Sequence, residues 1–167
     1  MERLIEVLLK KGIFLVSRGE DAQFLESKGY GQRSSLFTLS FQEALYLLEK
    51  KWIFVVKGKK ELDFQTLLGK QKASFFSYLV YKDLRQRGYS VQSGLKFGAD
   101  FRLYDKGHRD EEHALWLVLV LREDEQLKMK DFVAKNRIAT TVRKRLLFAL
   151  VSEDHSLSYF ECNWRRM

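Results

Sequence analysis

The sequence contains no proline, one cysteine (Cys162) and three histidines among its 167 residues. A chain of this length without proline is unusual, so element boundaries have to be read from glycines and capping residues. A single cysteine rules out an internal disulfide. With only three scattered histidines beside it, a structural zinc site is not expected either. No apolar run reaches the roughly 18–20 residues that span a bilayer; the longest, Ala114 to Leu121, suits a buried strand. The opening Met1-Glu2-Arg3-Leu4 carries an acidic residue before a short apolar stretch, which predicts no signal peptide. GxxxxGK[ST], GxGxxG, HExxH and CxxC are all absent, so nucleotide-driven and zinc chemistry have little support. These absences point to a cytoplasmic protein with no membrane segment, no cofactor and no metal.

What is present is a core and a positive charge. Apolar residues make up 46% of the chain and aromatics 14%, which excludes a disordered tail and suits one ordinary domain or two small ones. The net charge is +8, a balance that permits a polyanionic partner without requiring one. Its distribution is uneven. Arg137, Arg143, Lys144 and Arg145 cluster, Arg165-Arg166 lies near the end, and Lys57, Lys59 and Lys60 form a third group.

The first third reads as a small mixed domain. Strands are expected over Leu4–Leu9 and Ile13–Val16, joined by Lys10-Lys11-Gly12, with a short helix from Asp21 to Lys28 stopped by Gly29 and a strand over Leu36–Leu39. Ser40-Phe41-Gln42-Glu43 fits a capping box, and Phe41, Ala44, Leu45 and Leu48 share a face of the helix that follows. Trp52–Val56 is the next strand. The polar Lys57-Gly58-Lys59-Lys60 suggests a domain boundary just beyond it, giving domains of 1–65 and 66–167. The second domain opens with a helix expected from Leu67 to Arg87, ended by Gly88. Strands at Tyr89–Gln92, Ala99–Tyr104 and Ala114–Leu121, a helix from Lys128 to Arg143, and strands at Leu146–Val151 and Leu157–Phe160 complete it. The order predicts an α/β (α+β) fold whose second domain holds a central mixed sheet flanked by helices.

Three titratable residues of the second domain form a chemical set. Tyr104 ends one expected strand, His113 opens the next beyond the charged segment Asp105 to Glu112, and Lys144 lies where a basic helix gives way to a buried strand. A hairpin would bring Tyr104 and His113 to one edge, and Lys144 can be aimed at the same edge. These types suit RNA cleavage without metal. The ribose 2′-OH must lose a proton, the departing 5′ oxygen must gain one, and the transition state carries extra negative charge. Histidine exchanges protons near neutral pH, lysine stabilises developing charge, and tyrosine acts as a base once nearby cations lower its pKa. Residue types alone leave the blander readings open: a packing tyrosine, a solvated loop histidine and a lysine in a solvated basic face.

Longer segments narrow the choice. Tyr78-Leu79-Val80-Tyr81-Lys82-Asp83-Leu84-Arg85-Gln86-Arg87-Gly88-Tyr89 and Gly94-Leu95-Lys96-Phe97-Gly98-Ala99-Asp100-Phe101-Arg102-Leu103-Tyr104 closely resemble the opening of the catalytic domain of archaeal tRNA-splicing endonucleases. His113 before Ala114-Leu115-Trp116-Leu117-Val118, and Val142-Arg143-Lys144 before Leu146-Leu147-Phe148-Ala149, continue the family pattern. Leu39 to Leu47 resembles its N-terminal domain more loosely. The resemblance implies Tyr104 as general base, His113 as general acid and Lys144 as transition-state stabiliser. The implied products are a 2′,3′-cyclic phosphate and a 5′-OH, cut at intron boundaries of precursor tRNA within a bulge-helix-bulge fold. It implies an RNA contact at Arg137, which matches a family arginine that sandwiches an extruded base; Arg143 and Arg165, in the same basic segments, are expected to touch RNA as well. It also implies a homotetramer, or an α2β2 assembly with a non-catalytic partner chain. In that assembly the acidic loop Arg122-Glu123-Asp124-Glu125-Gln126 docks into a basic pocket of another subunit, and the C-terminal strand pairs with its counterpart.

Departures from the family pattern are few. Ala114 stands where serine is frequent, Trp116 where tyrosine is common, the segment from Tyr104 to His113 is one residue short, and the aromatic ending lacks a proline. Two other classes compete. One is a non-catalytic RNA-binding or structural subunit of the same assembly, which the full set of three residues disfavours. The other is a metal-dependent DNA nuclease of related fold, for which no acidic set is found.

Overall fold

The computed structural model describes residues 4–69, 74–105 and 114–163. His113, Arg165 and Arg166 lie outside the described residues. The chain divides into two compact units, Met1–Tyr78 and Leu79–Met167. Among the described residues no helix is long and apolar enough to cross a membrane.

The first unit is built on a six-stranded mixed sheet. Strands β1 (Ile5–Lys10) and β2 (Ile13–Val16) form a hairpin whose turn, Lys11-Gly12, has positive φ at both residues (49° and 81°). This is the backbone hand that matches strand twist in two-residue hairpins. Helix α1 (Gly19–Ser27) follows and is stopped at Gly29, where φ is 84°. Two short strands, β3 (Gln32–Arg33) and β4 (Phe37–Leu39), then lead to helix α2 (Phe41–Glu49). Strand β5 (Ile53–Lys57) pairs parallel with β1, and β6 (Lys60–Leu62) turns back along β5, giving the order β3-β4-β2-β1-β5-β6. Val7, Leu25, Ala44, Leu45, Leu47, Ile53 and Val55 are buried between the sheet and its helices.

The capping box is present as the sequence predicts, and its carboxylate does more than cap. The Ser40 hydroxyl accepts from the Glu43 backbone N–H at 3.2 Å, and Glu43 Oε2 accepts from the Ser40 N–H at 2.8 Å. The other oxygen, Oε1, accepts from the N–H of Gly31 at 2.8 Å and ties the loop before β3 to the helix. Glu43 is buried. Replacing it by glutamine turns an amide NH2 toward a backbone N–H and leaves one buried donor unmet. Glu43→Gln is therefore expected to lower stability by about 1–3 kcal/mol, read as a lower guanidinium midpoint; an unchanged midpoint would show that the carboxylate is dispensable.

Two features differ from expectation. The polar segment Lys57-Gly58-Lys59-Lys60 is a hairpin turn, with Lys57 opposite Lys60 and Gly58 at φ 65°. The helix expected from Leu67 to Arg87 starts before Leu67: the described residues give α3 (Phe64–Gly69) and α4 (Ser74–Gln86), and residues 70–73 between them lie outside the described residues. Helix α3 begins earlier because Asp63 Oδ1 accepts from the Thr66 N–H at 2.7 Å, an N-terminal cap.

The second unit holds a five-stranded sheet of order β11-β10-β9-β8-β7. Strands β7 (Ser90–Ser93), β8 (Phe101–Tyr104) and β9 (Trp116–Arg122) are antiparallel neighbours. Helix α5 (Met129–Thr141) carries the chain over to β10 (Arg145–Val151), which lies parallel to β9, and β11 (Leu157–Cys162) closes the sheet as an antiparallel edge. One face packs on α5 through Leu117, Leu119, Ala139, Leu146 and Phe148. The other meets α4: Tyr81 lies against Phe101, and the Tyr159 hydroxyl donates to Asp83 at 2.7 Å.

The segment between β7 and β8 is a tight loop containing a 3₁₀ turn, Leu95–Phe97. The Gly94 carbonyl accepts from the N–H groups of Phe97 (2.8 Å) and Ala99 (3.3 Å), while its N–H donates to the Asp100 carbonyl at 3.0 Å. Gly98 closes the turn at φ 64°, and its carbonyl accepts from the Lys135 ammonium on α5. Asp100 Oδ2 accepts from the Val120 N–H at 2.9 Å. Burial pushes this carboxyl above its ordinary pKa, against the backbone bond and the Lys135 charge, which pull the other way. The glycines and aspartate of this motif thus serve the backbone that leads into β8.

Candidate active site

Three chain segments meet side by side at one end of the second sheet. The Leu115 N–H donates to the Leu103 carbonyl at 2.9 Å, and the Arg145 N–H donates to the Leu115 carbonyl at 2.9 Å. Tyr104 ends β8, Ala114 precedes β9 and Lys144 immediately precedes β10, so all three lie at this end. The register also fixes the face. Arg102 is opposite Leu117, and Leu117 is opposite Leu146, on the side that packs against Ala139 of α5. Side chains alternate along a strand, so Tyr104, two residues after Arg102, and Lys144, two before Leu146, belong to that same face. One strand separates them, about 10 Å between backbones.

Each side chain is held. Tyr104 is 7% exposed, and its hydroxyl donates to Gln92 Oε1 at 3.3 Å. The Lys144 ammonium donates to the Ala114 carbonyl at 3.0 Å. Burial, and next the nearby Arg102 guanidinium, lower the Lys144 pKa below its ordinary value. The backbone aims Lys144 through an uncommon turn. At the end of α5 the N–H groups of Arg143 and Lys144 return to the carbonyls of Thr140 (3.0 Å) and Ala139 (2.8 Å). Arg143 itself adopts φ 54°, a position that glycine usually fills.

The expected RNA-contacting arginines are less tightly placed. Arg137 is exposed one turn before the end of α5, beside the buried Asn136, and Arg143 is exposed at the left-handed turn. Sequence reasoning passed over Gln92 and Arg102. Arg102 donates through Nε to the Ser93 carbonyl at 2.9 Å and through NH2 to Gln92 Oε1 at 3.0 Å. The signal for Arg102 was available, since a residue two before Tyr104 on a strand shares its face. Among the described residues no three His, Cys, Asp or Glu side chains converge as a metal site requires.

Family models for tRNA intron endonucleases match both parts of the chain, the N-terminal domain over residues 5–68 and the catalytic C-terminal domain over residues 75–159. The chain belongs to the tRNA intron endonuclease family. It is 44% identical to the tRNA-splicing endonuclease of Pyrococcus furiosus over 99% of each chain, and 43% identical to that of Pyrococcus abyssi over 98% of each. The tRNA-splicing endonuclease of Methanococcus maripaludis is 39% identical over 86% of this chain and 84% of its own length. As a member of the tRNA intron endonuclease family with the catalytic domain, the protein is an enzyme, and the end of the sheet carrying Tyr104 and Lys144 lies within that domain.

Proposed function

We propose that the protein cuts precursor tRNA at intron boundaries within bulge-helix-bulge structures, by attack of the ribose 2′-OH and without a metal ion. Tyr104 is the base that removes the 2′-OH proton. His113 protonates the leaving 5′ oxygen. Lys144 stabilises the charge that builds on the phosphate, leaving a 2′,3′-cyclic phosphate and a 5′-OH. The observation that carries the reading is the ammonium of Lys144, held on the carbonyl of Ala114 on the face it shares with Tyr104. A half-buried cation fixed in place before substrate arrives can stabilise transition-state charge with little reorganisation. In sequence, His113 directly precedes Ala114.

Arg137, Arg143 and Arg165 are assigned to RNA, where guanidinium groups can stack on bases that a bulge exposes. The enzyme is cytoplasmic and works as a homotetramer or an α2β2 assembly. Strand β11 supports the assembly, because it is an edge of its sheet and Phe160 on it is 53% exposed. The acidic loop assigned to docking runs between β9 and α5, where Arg122 Nε donates to Asp124 at 2.8 Å.

The test is cleavage of an end-labelled bulge-helix-bulge RNA by the purified chain in EDTA, beside His113→Ala. Cyclic-phosphate ends that the variant fails to produce are expected. Cleavage that EDTA abolishes, or that His113→Ala retains, overturns the mechanism. Inactivity of the folded wild type that persists with a candidate partner chain overturns the catalytic reading in favour of a non-catalytic subunit.

A further inference from the structure

One amide oxygen at the candidate site accepts two hydrogen bonds. Gln92 Oε1 takes the Tyr104 hydroxyl at 3.3 Å and the Arg102 guanidinium at 3.0 Å. Arg102 is itself fixed at a second point, with Nε on the Ser93 carbonyl at 2.9 Å, and its guanidinium lies over the Phe97 ring with 5.8 Å to the centroid. The Gln92 side chain is half-buried and sits opposite Arg102 in the β7–β8 ladder. A guanidinium has donors only, so its bond to Gln92 selects the oxygen, not the NH2, of the amide to face it. The same oxygen then faces the phenol. An amide oxygen accepts a hydrogen bond but does not take up a proton near neutral pH, so in this contact the proton stays on Tyr104 and must leave to solvent before the oxygen can act as a base.

We propose that Gln92 and Arg102 are positioning residues for Tyr104: Arg102 locks the Gln92 amide, and the amide oxygen holds the phenol oxygen of the resting, protonated tyrosine at the place from which, once its proton has left to solvent, it meets the ribose 2′-OH. The inference rests on the reading of Tyr104 as a reacting group. It adds to that reading a reason why the oxygen of a buried tyrosine at a strand end keeps one place. Rotation about the phenol C–O bond moves only the proton; what the contact fixes is the oxygen, and small errors of placement at a reacting atom are costly.

The test is single-turnover cleavage by Gln92→Met, Arg102→Gln and Tyr104→Phe in the cleavage-competent assembly, with melting temperatures recorded for each. Gln92→Met keeps the length of the side chain and removes the acceptor. It is expected to slow the chemical step by roughly 10- to 100-fold, with RNA affinity within about twofold of wild type. Arg102→Gln is expected to act in the same direction. In the Tyr104→Phe background Gln92→Met should cause no further loss, because the hydroxyl it positions is gone. A structural lesion would instead multiply through both backgrounds, and that outcome overturns the proposal. So does a Gln92→Met rate within about twofold of wild type while Tyr104→Phe is impaired, which leaves the role of Tyr104 standing. Wild-type activity in Tyr104→Phe removes the reading of the site and the inference together. Independently of cleavage, the ring ¹³Cζ resonance of Tyr104, assigned by its loss in Tyr104→Phe, should move in Gln92→Met; a resonance that stays in place shows no bond and overturns the proposal.

Discussion

Replacing Lys144 by methionine is expected to slow RNA cleavage by about 10²- to 10³-fold, the usual cost of removing one preorganised charge donor from a transition state, while the fold persists. Methionine matches the length of the lysine stem, so the packing before β10 is kept. The lost contact is one part-buried hydrogen bond from Nζ to the Ala114 carbonyl. The missing charge is also no loss to stability near neutral pH. Burial and the Arg102 guanidinium push the Lys144 pKa down, which means the folded protein disfavours the protonated lysine relative to the unfolded chain. That penalty is fully present below the folded pKa and disappears as the pH rises to the ordinary lysine value. Melting temperature at pH 7 should therefore be unchanged or slightly higher in the variant. The same shift has a kinetic side. The wild-type rate should fall on the alkaline side before an ordinary lysine would lose its charge, because the active form carries the ammonium. Cleavage by Lys144→Met within a few-fold of wild type would remove Lys144 from the chemistry.

Much of this architecture was legible because its signals are local. The α2 capping box needs only Ser40 and Glu43 three residues apart, and the stripe Phe41, Ala44, Leu45 and Leu48 needs only helical spacing. The runs Ala114–Leu121 and Leu146–Val151 read as strands because they are apolar and short, and β9 (Trp116–Arg122) and β10 (Arg145–Val151) pair as the buried centre of the second sheet. Other elements carry no such signal. Strand β6, Lys60–Leu62, is mostly charged and exists because it pairs back on β5 across a glycine turn. Strand β3 is two residues held by β4. The end of α5 was placed at Arg143, but the helix stops at Thr141. The left-handed residue that ends it is an arginine rather than a glycine, so composition gave no sign of the turn. Tyr104 and Lys144 were found because their side chains have chemistry. Gln92 was passed over because an amide has none of its own, and its place beside the Tyr104 hydroxyl follows from the β7–β8 register, a tertiary fact.

The second large effect is expected from a residue with no side chain. Gly94→Ala should cost on the order of 3 kcal/mol and should carry most of the cleavage activity away with it. A Cβ at position 94 would lie 2.8 Å from the carbonyl carbon and oxygen of Phe101 and 2.9 Å from the Ala99 carbonyl oxygen. All three obstacles are backbone, so no side-chain rotation relieves the overlap. Moving Gly94 away is equally costly, because its carbonyl holds the N–H groups of Phe97 and Ala99 and its own N–H holds the Asp100 carbonyl. The adjacent pairs in the ladder are Ser93 with Phe101 and Gln92 with Arg102, so a shift of the loop reaches the contacts that direct Tyr104 within two residues. Gly19 supplies the comparison, since a Cβ there meets nothing within 4 Å; Gly19→Ala at the start of α1 should leave stability within about 0.5 kcal/mol of wild type. Guanidinium midpoints of the two variants decide the matter. A Gly94→Ala midpoint equal to that of Gly19→Ala would mean the loop has room to yield, and the glycine of this motif would then need a reason in the chemistry of the site.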